Sequence, residues 1–150
     1  MTGINLFTKD FYTYKQDKNF REKLIASLLQ DLKDLLNTKA TSKNTYNDQI
    51  EDKILPYSIL DYGICDLSKY VTYSKKDRDK ILSIIKNTIE KFETRLSCVK
   101  VYHKKETELG SDIFNFYIRA KIKLKFEVLD LAFDSKIDNL TKTFHINFNH

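Results

Sequence analysis

The chain has no tryptophan, one proline, three glycines, two cysteines and three histidines in 150 residues. Each scarcity removes a class of protein. With so little Gly and Pro, the sequence is neither collagen-like nor a flexible linker. Gly3, Gly63 and Gly110 stand far apart, so no glycine-rich loop is available to cradle a nucleotide phosphate. Two cysteines make no disulfide framework; Cys65 and Cys98 read as small, half-buried hydrophobes in a reducing compartment. Cys65, Cys98, His103, His145 and His150 share no ligand spacing, so neither a metal nor any other cofactor is expected. No G-x-S-x-G nucleophile turn is present. No apolar run approaches the roughly 20 residues of a membrane-spanning helix. The first residues lack a compact apolar signal core, which predicts a chain that is not exported and works in the cytoplasm.

What remains is a chain with material for a core. It is 41% hydrophobic and 13% aromatic, the aromatics being Phe and Tyr alone, which argues against disorder. A chain of this length makes one ordinary domain, able to bury about 70% of the surface its unfolded form exposes. The net charge of +5 leaves nucleic acid or acidic protein surfaces open as partners and requires neither.

Periodicity divides the chain. Residues 1–16 hold Phe7, Phe11, Tyr12 and Tyr14 without a clear period and read as an N-terminal arm preceding a single domain over 17–150. Phe20, Leu24, Leu28, Leu32 and Leu35 recur at helical spacing, widened by Ile25, Leu29 and Leu36; the stripe predicts a helix over 18–37, with Asp17 as its cap and Asn37 as its stop. A polar loop over 39–53 leads into "ILPYSILDYGICDLSKY" (54–70), where Pro56 blocks a helix and Gly63 permits positive φ. This stretch reads as an ordered, packed connection. Ser74 and Asp77 form a variant capping box before a second helix over 75–93, carried by Ile81, Ile85, Ile89 and Phe92. Leu96–His103 reads as a strand with Val99 and Val101 on one face. Residues 114–126 alternate Phe114, Phe116, Ile118, Ala120, Ile122, Leu124 and Phe126 with polar residues, the mark of a strand with one wet face. "VLDLAFDS" supplies a further short strand, and Phe144, Ile146 and Phe148 repeat the alternation at the end. The order predicts an α+β fold, with two amphipathic helices on one face of a mostly antiparallel sheet and a long ordered loop between the helices.

Two chemical readings can be set beside plainer ones. Arg119, Lys121, Lys123 and Lys125 place four cations on one strand face, with Tyr117 available to stack a base, the ingredients of a single-stranded nucleic-acid surface. The plainer reading is a solvated sheet face or an edge blunted by lysine, and it is preferred because no recognition motif accompanies the cations. Glu93, with Asp66 or Asp130 as second carboxylate, has the residue types of a glycan or peptidoglycan hydrolase. Acidic residues are common in this chain and sequence gives no carboxylate separation, so no catalytic residue is assigned.

Four blocks in order carry a resemblance: "DLKDLLNTK" (31–39), "SILDYGICDLS" (58–68), "RDKILSIIKNTIEKFETRL" (78–96) and "EVLDL" (127–131). Together they resemble the small baseplate wedge subunit of contractile injection machines, the TssE family of type VI secretion systems and its contractile-phage counterparts, historically labelled lysozyme-like. Ser58, Leu60, Tyr62, Gly63 and Asp66 match the family's second block, while Asp61 and Cys65 replace its Asn and Pro. Glu93 and Arg95 keep the charges of its Glu-Pro-Arg turn, with Thr94 in place of Pro. The resemblance implies a structural, non-enzymatic protein acting with other wedge proteins and sheath subunits, in a bacterial baseplate on the cytoplasmic face of the inner membrane. It implies no small-molecule substrate, nucleic acid or membrane insertion. It assigns Glu93 and Arg95 to docking on the wedge core, the last strand (Phe144, Ile146, Phe148) to strand addition by the sheath, and Tyr62, Gly63 and Asp66 to a structural loop. Phe92 and Leu96 are then expected to pin the turn so that both charges face a partner.

Overall fold

In the computed structural model the described residues are 18–40, 62–105 and 112–149. The N-terminal arm, Asp17 and most of the inter-helix loop, Pro56 included, lie outside them. Among the described residues two helices, α1 (Lys18–Asn37) and α2 (Lys75–Phe92), precede four strands: β1 (Leu96–His103), β2 (Ile113–Lys123), β3 (Val128–Asp138) and β4 (Thr143–Phe148). The strands run in sequence order as a meander in which each pair is antiparallel. With α1 along β4 and α2 along β1, the helices cover one face of the sheet and touch each other. The predicted α+β architecture is the observed one.

Helical spacing decides which side chains enter the core. On α2, Ile81, Ile85 and Ile89 recur every four residues and are at most 2% exposed, one stripe turned to the sheet. On α1 the same role falls to Leu28, Leu32, Leu35 and Leu36. The sheet answers with the inward half of its alternation: Phe114, Phe116, Ile118, Ala120 and Ile122 from β2, Leu131, Phe133 and Ile137 from β3, and Phe144 and Ile146 from β4. Phe116 meets the Phe144 ring edge-on, centroids 6.3 Å apart, so the central and last strands share one aromatic contact.

Several local expectations are corrected. The β2 alternation stops at Lys123 rather than continuing to 126. The Leu124 N–H donates to the Glu127 carbonyl at 2.8 Å, closing a turn that leaves Phe126 half exposed and carries Lys125 off the strand. The segment read as a short strand runs instead for 11 residues as β3, because its inward positions 131, 133, 135 and 137 all find partners on β2. Ser74 is the N-cap of α2 by backbone conformation, but its hydroxyl makes no capping bond. The Asp77 carboxylate accepts instead from the Val71 N–H at 3.0 Å, and the Arg78 guanidinium donates to the Thr72 carbonyl at 3.1 Å. First-turn side chains thus fasten the preceding turn rather than the helix end. Cys98 is exposed, not half-buried. It sits at φ 51 in a break of the β1–β2 register between Ser97 and Lys100, a bulge in which the extra residue leaves the pleat.

Gly63 shows why the inter-helix connection closes where it does. Its φ is +117, and a Cβ there would lie 2.2 Å from the Thr38 carbonyl oxygen. That close approach allows the Ile64 N–H to donate to the Thr38 carbonyl at 2.8 Å and the Ala40 N–H to the Ile64 carbonyl at 2.9 Å. This short parallel bridge ties the connection to the exit of α1, and only glycine fits it.

Candidate functional site

The turn after α2 is built around one carboxylate. Glu93 is the C-cap residue, its N–H donating to the Ile89 carbonyl at 2.8 Å, and this places its side chain under the turn at 8% residue exposure. Arg95 grips it with a fork: Nε to Oε1 at 2.7 Å and a terminal nitrogen to Oε2 at 2.8 Å. The same guanidinium reaches Asp31 on α1. These bonds, Glu93 first, hold the Arg95 guanidinium above its already high ordinary value against the opposing effect of burial. The local ion pair allowed by the short spacing is present and includes a third member. The expectation that both charges project outward is corrected for Glu93, which is buried beneath the arginine; Arg95 is the displayed charge. Leu96 is buried in the core, whereas Phe92 is only half-buried.

Tyr62 belongs to the same neighbourhood. Its ring meets Phe92 edge-on at 5.4 Å. Burial, then the charges of Asp34, Asp31 and Glu93, raise its phenol above the usual value. Two predicted groups, the docking turn and the start of the structural loop, therefore lie side by side with α1. Asp66 is set apart from this cluster's bonding. It is exposed, and Ser68 donates to it through N–H (3.0 Å) and hydroxyl (2.9 Å), holding its carboxyl below the usual range.

The last strand is a sheet edge of a particular kind. Phe144 and Ile146 point their side chains into the core at 4% and 1% exposure, and Phe148 packs on Phe133 with centroids 5.7 Å apart. The side chains of Phe144 and Ile146 are thus spent on the core. The Phe144 N–H donates to Asn37 Oδ1 at 2.8 Å, and Asn37 Nδ2 donates to the Phe144 carbonyl at 3.1 Å. Those groups therefore face away from β3, and alternation turns the amides of Ile146 and Phe148 the same way.

The cations Arg119, Lys121 and Lys123 lie on the helix-free face with Tyr117. Lys104 covers the Tyr117 ring at 5.1 Å, and Lys121 lies 3.9 Å from Asp130. Asp130 thus belongs to the face opposite the helices, away from Glu93, and both Glu93 oxygens are taken by arginine. That is the arrangement of an ion pair rather than of a catalytic carboxyl couple. Among the described residues, no group of three or more potential ligands could hold a metal, and no helix is long and apolar enough to cross a membrane.

Sequence reasoning missed Asp31 and the bonding role of Asn37. Asp31 opens the first resemblance block, but nothing local links it to a residue 64 positions away. Asn37 was legible as a helix stop; its partner lies 107 positions on.

The described residues thus form a two-layer α+β domain with a charged turn after α2 and with β4 as the last strand of the sheet. The family model of the baseplate wedge protein gp25 matches residues 22–126, most of the chain, and the protein belongs to that family of structural baseplate components. No curated protein is a significant match. A chain of the solved baseplate complex from the type VI secretion system shares the fold, with a TM-score of 0.52 at 15% identity over 86% of this chain and 96% of the other.

Proposed function

We propose that this protein is a structural wedge subunit in the baseplate of a contractile injection machine of the type VI secretion kind. It docks on the wedge core through the turn at Glu93 and Arg95, and offers β4 to a strand of the sheath, templating its first ring. The observation that carries the reading is the geometry of β4, where Phe144 and Ile146 spend their side chains on the core while the main-chain groups of the same alternate residues face away from β3. Strand addition needs that division, because main-chain hydrogen bonds supply the binding. At the turn, burial of Glu93 makes it the support that orients Arg95 toward a partner. Membership of the family supports other baseplate proteins as the partners, and the chain works on this reading at the cytoplasmic face of the bacterial inner membrane.

Deleting residues 142–150 would remove Phe144 and Ile146 from the core, so a single substitution tests the edge more cleanly. Ile146→Pro removes one outward N–H at an edge position where proline is tolerated; Ile146→Ala shortens the same side chain and keeps the N–H. Loss of sheath recruitment in the first and not the second supports strand addition, and equal recruitment by both refutes it. The double reversal E93R/R95E, with its fold checked by circular dichroism, is expected to abolish co-purification with wedge partners. Undiminished co-purification of the folded variant would remove the docking assignment.

A further inference from the structure

An open sheet edge must be kept from pairing with the wrong strand, or in the wrong register. Among the described residues Asn37, the last residue of α1, is placed at β4 to do this. A side-chain amide carries the donor and acceptor of a peptide group. Asn37 presents them to Phe144 as a neighbouring strand would: its oxygen accepts from the Phe144 N–H at 2.8 Å, and its nitrogen donates to the Phe144 carbonyl at 3.1 Å. The second hydrogen of that nitrogen is also engaged, because Nδ2 lies 2.9 Å from the Lys33 carbonyl one turn back. Turning the amide over would set an oxygen against two carbonyls and a donor against the Phe144 N–H, so the orientation is fixed from both sides.

We propose that the Asn37 side chain stands in for a strand residue, closing the β4 edge at Phe144 and making Ile146 the first residue that an added strand can pair with. The inference rests on the strand-addition reading and specifies its register. An incoming strand that displaced Asn37 would break three hydrogen bonds to form two at Phe144, whereas one that starts at Ile146 breaks none of them. β4 itself ends at Phe148, two residues beyond Ile146. The pairing window is therefore short, and a short window with one closed end admits few registers. The Asn37 device thus selects against long edge-to-edge pairing between copies of this chain as well as against slipped sheath strands.

The test uses the full chain, isotopically labelled for NMR, with the purified sheath subunit of the same machine as probe. In the free protein, Asn37→Ala is expected to speed exchange of the Phe144 amide by about tenfold, the loss of one hydrogen bond. With the sheath subunit bound to the wild type, the Ile146 amide should gain protection while the Asn37 side-chain NH2 signals stay where they are. In the variant, pairing should extend back to Phe144. Protection along β4 accompanied by a shift of the Asn37 NH2 signals to free-amide positions would overturn the register stop and leave strand addition standing. If no β4 amide gains protection, strand addition itself is refuted, and the register role with it. Should the variant fail to fold, the wild-type NH2 signals decide between these outcomes alone.

Discussion

Removing Arg95 is expected to destabilise the protein more than removing Glu93, although the two form one ion pair. The asymmetry comes from burial: the Glu93 side chain is 10% exposed and the Arg95 side chain 37%. In Arg95→Ala the carboxylate keeps the Arg95 main-chain N–H at 3.4 Å and whatever water enters the vacated space. Stripping the partner from a fully buried charge costs about 3–5 kcal/mol. Solvent reaches this pair from the arginine side, so the loss here is about 2–3 kcal/mol. In Glu93→Ala, Arg95 retains Asp31 and faces water, and the loss is about 1 kcal/mol. At about 2–4 °C per kcal/mol for a chain of this size, the arginine variant should melt about 4–12 °C lower and the glutamate variant about 2–4 °C lower. Thermal melts at pH 7, with urea titrations to check that the m-value is unchanged, make the measurement. Equal losses in the two variants would refute the claim that Glu93 is the desolvated member. They would also remove the reason for treating Arg95 as the displayed charge.

Three further outcomes follow from single residues. Gly63→Ala drives a methyl into the Thr38 carbonyl at a backbone angle that side chains avoid, and should cost at least about 2 kcal/mol in urea midpoint experiments. Phe116→Ala empties a site with 0% exposure at the centre of the sheet and should cost about 3–5 kcal/mol by the same assay. Burial, with Arg78 adding to it and Asp79 opposing, holds the His103 imidazole below its ordinary value. The unfolded chain then binds that proton more readily, so stability should fall as pH drops below about 6.5. Comparing His103→Gln with the wild type at pH 7.5 and 5.5 should show a shallower fall in the variant.

Legibility in the sequence followed the range of the interaction. The leucine stripe of α1 and the isoleucine stripe of α2 marked both helices because each is a local, repeated signal. The Phe114–Ile122 alternation marked β2 for the same reason. It overshot at Leu124 and Phe126, where apolar residues continue the pattern while the backbone has begun to turn. Ser74 and Asp77 have the residues of a capping box, yet Asp77 spends its carboxylate on Val71, a choice made by the fold of the preceding turn. The charges of the turn after α2 were readable at Glu93 and Arg95. Which of them is buried was not, because the C-cap geometry tucks Glu93 under the turn while Arg95 folds back over it to reach Asp31 on α1. The outward main chain of β4 was implicit in the alternation of Phe144, Ile146 and Phe148. Its partial closure by Asn37 required the end of a helix to meet a strand from the other end of the chain.

Both proposed surfaces are organised by α1. Asp31 holds Arg95, and six residues later, about 9 Å along the axis at 1.5 Å per residue, Asn37 holds Phe144. The helix between them is anchored by Leu32, Leu35 and Leu36, so neither surface has to form on binding and the ordering cost of assembly falls on the partner. A rigid element with two separate clamps should behave additively rather than as a switch. Arg95→Ala and Asn37→Ala share no bonding partner among the contacts described, and their stability losses should sum to within about 0.5 kcal/mol in a double-mutant cycle. A coupling well beyond that would mean that the turn and the edge communicate through α1. The docking of one partner would then be felt by the other, and the picture of a static template would have to give way to one of a gated edge.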